Sequence, residues 1–107
     1  MEDRQYSEKG FNATIFQCID RALNTLGENA KLALYYQIGS KLNLDAKQFP
    51  TRPLDVAESL HKILGDSGYV FIERLMIREI KVTFDLHLKE GMSFSQVVSH
   101  AREKFLS

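Results

Sequence analysis

The chain has 107 residues, 44% of them hydrophobic and 26% charged, and its 14 Lys and Arg balance its 14 Asp and Glu. These proportions suit one globular domain that folds without staples. Neutrality argues against a polybasic nucleic-acid binder or an acidic tail, and no apolar run reaches the roughly 18 residues of a membrane span. Cys18 is the single cysteine, so neither an internal disulfide nor a cysteine-based zinc site is available; with the polar start Met1 to Tyr6 this points to a reducing, cytoplasmic setting.

Residues 1–10 carry charge and little apolar content, and read as a loosely ordered lead-in to a single helical domain over residues 11–107. From Asn12 to Leu26, Ile15, Phe16, Ile19, Ala22, Leu23 and Leu26 recur at three- and four-residue steps, predicting a first helix stopped by Gly27. A second runs from Glu28 or Asn29 to Leu42 or Asn43. Leu32, Tyr35, Tyr36, Ile38 and Leu42 are expected inward and Lys31, Gln37 and Lys41 outward, with Gly39 on the inner side to admit a neighbouring helix. Pro50 and Pro53 break the pattern, leaving one long connection from Asn43 to Pro53 that Leu44 and Phe49 should pin to the core.

Pro53 suits the first turn of a third helix, which buries Val56, Ala57, Leu60, Ile63 and Leu64 and stops at Gly65. Asp66 or Ser67 can cap the fourth, from Gly68 into the mid-80s, whose apolar residues cover well over half its circumference. Such a helix is usually central, packed by neighbours or by a second subunit. Ile80 to Lys89 also alternates strictly between apolar and polar, as a half-buried strand would, yet no other stretch offers a mate; the helix is therefore carried to about Asp85, with residues 86–91 as its fraying or extended exit. Finally Ser93-Phe94-Ser95-Gln96 has capping-box spacing and opens a helix burying Phe94, Val97, Val98, Ala101 and Phe105. The expected fold is all-α, a five-helix compact bundle around a central, largely apolar fourth helix.

This punctuation resembles the Nitrosopumilus output domain family, small archaeal helical domains associated with signal transduction. The residues that carry the likeness are Leu26-Gly27, Ala33 through Tyr35-Tyr36 and Leu42, Phe49-Pro50, Leu60, Ile63 and Leu64-Gly65, then Gly68, Ile72-Glu73, Ile77 and Ser93-Phe94. They are mostly packing and capping residues. The resemblance implies an all-helical interaction or output module and no enzyme, cofactor or substrate.

Few residues suggest chemistry. Glu58-Ser59-Leu60-His61 has the Glu-x-x-His spacing of carboxylate-bridged metal sites, but such sites need the motif twice, and His87 and His100 lack the glutamate; no metal site is expected. Cys18 has no local signature of a nucleophile, and no phosphate-loop, dinucleotide or hydrolase motif occurs. Glu73 projects among Tyr69, Ile72, Met76, Ile77 and Ile80, so its carboxylate must be paired or protonated. It could tie the backbone of the Phe49 to Pro53 connection, pair with an internal basic residue, or line a dimer contact or ligand pocket. Of Tyr35 and Tyr36, which cannot face the same way, one could reach a pocket mouth or interface. Arg74, Arg78 and Lys81 form a basic stripe on the far side of the fourth helix, a candidate surface for a partner. The expectation is a non-enzymatic, cofactor-free interaction or output module that binds a protein partner or its own copy, with no membrane role. A DNA-associated regulator using the basic stripe and a small-molecule sensor with a pocket under the Phe49 to Pro53 connection, near Glu73, are the alternatives.

Overall fold

Ser7 stands just ahead of the first helix, and its Oγ accepts a hydrogen bond from the Gly10 N–H at 3.0 Å, satisfying one of the donors that a helix start leaves without an internal partner. The structure, a computed structural model, describes residues 6–106. Helix α1 spans Glu8–Leu23 and passes into a short 3₁₀ turn at Asn24–Leu26 before Gly27. The expected loose lead-in therefore needs correction: residues 1–5 lie outside the described residues, but residues 6–10 belong to the fold. Tyr6 packs edge-on to Phe11 and against Phe84, and its N–H donates to the Phe105 carbonyl at 2.8 Å.

Helix α2 spans Glu28–Leu42. Its end is closed by Asn43 in the left-handed conformation, with the Leu44 N–H reaching back to the Gly39 carbonyl at 3.0 Å. That turn explains Gly39. A Cβ there would lie 2.7 Å from the Leu44 carbonyl oxygen, so the close approach comes from the chain's own reversal and not from the neighbouring helix expected. The connection that follows is not irregular: Asp45 and Gln48 form a second capping box over a 3₁₀ helix, Ala46–Thr51, which buries Phe49 and Pro50 against the core.

Two helices abut within Pro53–Phe84, because Gly65 between them sits at φ 77°, ψ 175°, backbone that is strained for any residue with a Cβ. It divides the stretch into α3, residues 53–64, and α4, residues 66–84. Residues 80–84 are helical, which decides against the strand; Asp85, left-handed at φ 54°, ends α4, and an extended exit leads to α5, Phe94–Phe105. Together the five helices form an all-α bundle with α4 at its centre. Met76 and Ile80 of α4 are fully enclosed, as are Phe11 and Ile15 of α1, Leu60 of α3 and Phe94 of α5. Burying each such side chain stabilises the fold by roughly 1.5–3 kcal/mol. The radius of gyration, 13.4 Å, is close to the ~13 Å expected of one compact domain of this length.

Candidate functional site on the fourth helix

Tyr69, Ile72, Met76, Ile80 and Phe84 are buried on α4. At 3.6 residues per turn the helix must then present Val70, Phe71, Arg74, Arg78, Lys81 and Val82 on its far side. They are exposed there, Phe71 at 52% and Val82 at 72%. Arg74 and Arg78 lie one turn apart, with Lys81 following. Phe71 and Val82 flank them along one edge, and Val70 along the other. None of the three cations makes a salt bridge among the described residues. On the Val70 edge α4 meets the exit loop in a groove of about 370 Å³, with Ile77, Leu88 and Met92 supplying apolar surface and Arg74 and Lys89 supplying charge.

Glu73 borders the same groove, but its chemistry is internal. One carboxylate oxygen accepts the Tyr69 hydroxyl at 3.1 Å and the Phe94 N–H at 2.9 Å. Phe94 N–H opens α5 and has no partner within its helix; Ser93 and Gln96 satisfy two more groups there, at 3.3 and 2.9 Å. Glu73 is thus a structural tie from α4 to the start of α5. The expected anchor, the Phe49 to Pro53 connection, is not its partner, and the carboxyl is half-buried, not enclosed. Burial, and then the neighbouring Glu73 charge, push the Tyr69 hydroxyl above its usual range, so it stays protonated and able to donate.

On α2 the two tyrosines separate. Tyr35 turns inward between the rings of Phe16 and Phe49, and its hydroxyl donates to Asp20 at 2.6 Å. Tyr36 is 76% exposed, as is Leu32 to a lesser degree, while Lys31 is buried. This reverses the expected facing of these residues. The reason lies on α1: Asp20 offers a carboxylate that takes both the Tyr35 hydroxyl and the Lys31 ammonium, the latter at 3.0 Å, and Glu28 adds a second contact to Lys31 at 3.3 Å. Burial alone would raise the Asp20 carboxyl, but the hydrogen bonds from Tyr35 and Lys31 and the nearby positive charges outweigh it and hold the carboxyl below its usual range. Tyr35 is pushed up by burial and by the same carboxylate.

Cys18 and His61 make contacts within the fold. Cys18 is buried, burial raises its thiol above the usual range despite Thr83 and Arg21, and its Sγ donates to Thr83 Oγ1 at 3.6 Å. His61 stacks on Tyr69 at 4.9 Å and contacts Asp66 through Nε2, across the break at Gly65, with Glu58 exposed beside it. No three His, Cys, Asp or Glu side chains gather as a metal site among the described residues. His87 and His100 border one shallow groove with Lys89. No helix among the described residues is long and apolar enough to cross a membrane.

Comparison of the chain with models of known protein families, with curated proteins and with solved structures finds no match in any of the three. Sequence reasoning placed Arg74, Arg78 and Lys81 on the outer face but missed Val70, Phe71 and Val82 beside them. The signal was available: once Tyr69, Ile72, Met76 and Ile80 are chosen as the inner row, 100° per residue sends those three outward. The Asp20, Lys31 and Tyr35 cluster had no local signal, because its members sit on different helices.

Proposed function

We propose that this chain is a non-enzymatic protein-interaction module, akin to the output domains it resembles, that holds an acidic segment of another protein along the outer face of α4. The observation that supports this is the row Arg74, Arg78 and Lys81, free of salt bridges among the described residues and flanked by exposed Phe71, Val82 and Val70. A partner helix bearing carboxylates between apolar residues would meet both features at once, with charge guiding the encounter and apolar burial holding the complex. Self-association through this face is disfavoured. Antiparallel two-fold pairing of α4 would set Arg74 against Arg78 of the copy, and like charges across an interface repel.

A helical peptide alternating pairs of glutamate and leucine tests the reading, with its lysine counterpart and duplex DNA as controls. Amide shifts over residues 70–82 on adding the acidic peptide, weakened about tenfold or more in the Arg74→Glu, Arg78→Glu double variant, are expected. Equal binding of both peptides sinks the proposal. Retardation of DNA with no peptide binding would transfer the site to a nucleic-acid partner, whose affinity should then fall steeply with salt.

A further inference from the structure

Away from α4, the outer face of α1 and the 3₁₀ helix Ala46–Thr51 enclose an open groove of about 920 Å³. Its apolar surface comes from Ala13 and the half-buried Phe16, whose ring continues inward through Tyr35 to Phe49. The polar groups on the rim give the groove a sign, although Gln17 offers an acceptor as well as a donor and Thr51 spends its hydroxyl proton on the Gln48 carbonyl at 2.6 Å. The Glu8 carboxylate is taken by Arg102 at 3.1 Å, and the Asn12 side-chain oxygen by the same guanidinium at 3.0 Å. Gln48 spends its side-chain oxygen on the Asp45 N–H at 3.1 Å, inside the capping box. Apart from Gln17, the groups left to face an occupant are donors, the amide NH₂ of Asn12 and Gln48 and the ammonium groups of Lys9 and Lys47, and the two lysines, which form no salt bridge among the described residues, set the sign of the charge.

We propose that this groove is a ligand site for an amphiphilic carboxylate, its apolar body lying over Ala13 and Phe16 and its anionic head between Lys9 and Lys47. The volume falls in the range of small-molecule sites, about 300–1,000 Å³, and an apolar floor with a few convergent polar groups is their usual make-up. Ala13 matters because its small side chain leaves room for the body to approach α1. The site is independent of the α4 face. It touches the Phe49 to Pro53 connection, under which a sensor pocket was expected from sequence, through Thr51, but Glu73, assigned to that pocket, borders a different groove.

Isotope-labelled protein titrated with laurate, and separately with dodecyltrimethylammonium below its micelle concentration, decides the matter. Laurate should shift amides of residues 8–17 and 47–51, and the cation of equal chain length should bind at least about tenfold more weakly. Lys9→Glu with Lys47→Glu should reverse that preference. Ala13→Leu, which exchanges one strong helix former for another at an exposed position, should abolish laurate binding with little change in the melting temperature, and the Arg74→Glu, Arg78→Glu variant should bind laurate normally. Absence of shifts at these amides, equal response to the two amphiphiles, or unchanged binding by the Ala13→Leu protein would each overturn the proposal.

Discussion

Helices α2 and α5 both pack at the margin of the bundle, yet they are attached by different forces. Four apolar residues of α5, Phe94, Val97, Val98 and Ala101, are buried, and the Glu73 carboxylate closes its first turn. By contrast α2 buries only Leu34 and Ile38 among its apolar residues, and relies on the Asp20, Lys31 and Tyr35 cluster for the rest. Apolar burial is insensitive to pH and salt and couples an element to global unfolding. A charged cluster near the surface is weaker, is titratable, and lets its helix open by itself. The two margins should therefore fail in different ways.

The largest expected effect is at α5. Phe94→Ala removes a fully enclosed ring and should cost about 3–5 kcal/mol in urea unfolding; a loss under about 1 kcal/mol would mean that packing does not hold this helix. Glu73→Ala comes next, at about 1–2 kcal/mol, because it leaves the Phe94 N–H without its acceptor. Glu73→Gln keeps an acceptor oxygen and should recover most of that. At α2, Tyr35→Phe should cost about 1 kcal/mol and appear in hydrogen exchange as faster opening of α2 amides alone. If amides across the whole molecule accelerate equally, the contrast between the two margins is wrong.

The smallest effect is one of pH. The ordinary Asp carboxyl value is 3.8, and that of Asp20 is lower in the folded chain, so the unfolded chain takes up the proton first as pH falls. The contribution of Asp20 is complete above about pH 5 and is lost as pH drops through 3.8 towards the lower folded value. Asp20→Asn should flatten that part of the acid limb of a stability profile. At the other extreme, the raised hydroxyls of Tyr35 and Tyr69 favour their protonated forms in the fold, so stability should fall as pH rises above their ordinary value of 10.0.

What could be read from sequence divides along the same line. The capping box at Ser93 and Gln96, the stop at Gly65 and the start at Pro53 are local chemistry, and each was legible from spacing alone. The second capping box, Asp45 with Gln48, has the same spacing, but Pro50 and Pro53 close behind it disfavour a regular α-helix, and the segment it opens is a 3₁₀ helix that tolerates Pro50. Helical register placed Glu73 on the inner side without naming its partner, since Phe94 N–H becomes available only once α5 has docked. Hydropathy failed at α2. Leu32 and Tyr36 looked buried and Lys31 exposed, and the order is reversed because a carboxylate on another helix decides which side of α2 turns inward.

The bridge between Tyr6 and Leu106 brings the two extremes of the described chain side by side. A short peptide splice across that gap would close the backbone into a ring without disturbing the helices, and fresh ends could be cut at the exposed turn around Gly91. Such a circular permutant should reach the same bundle, since the contacts that assemble it are set by surfaces and not by the order in which the helices are strung.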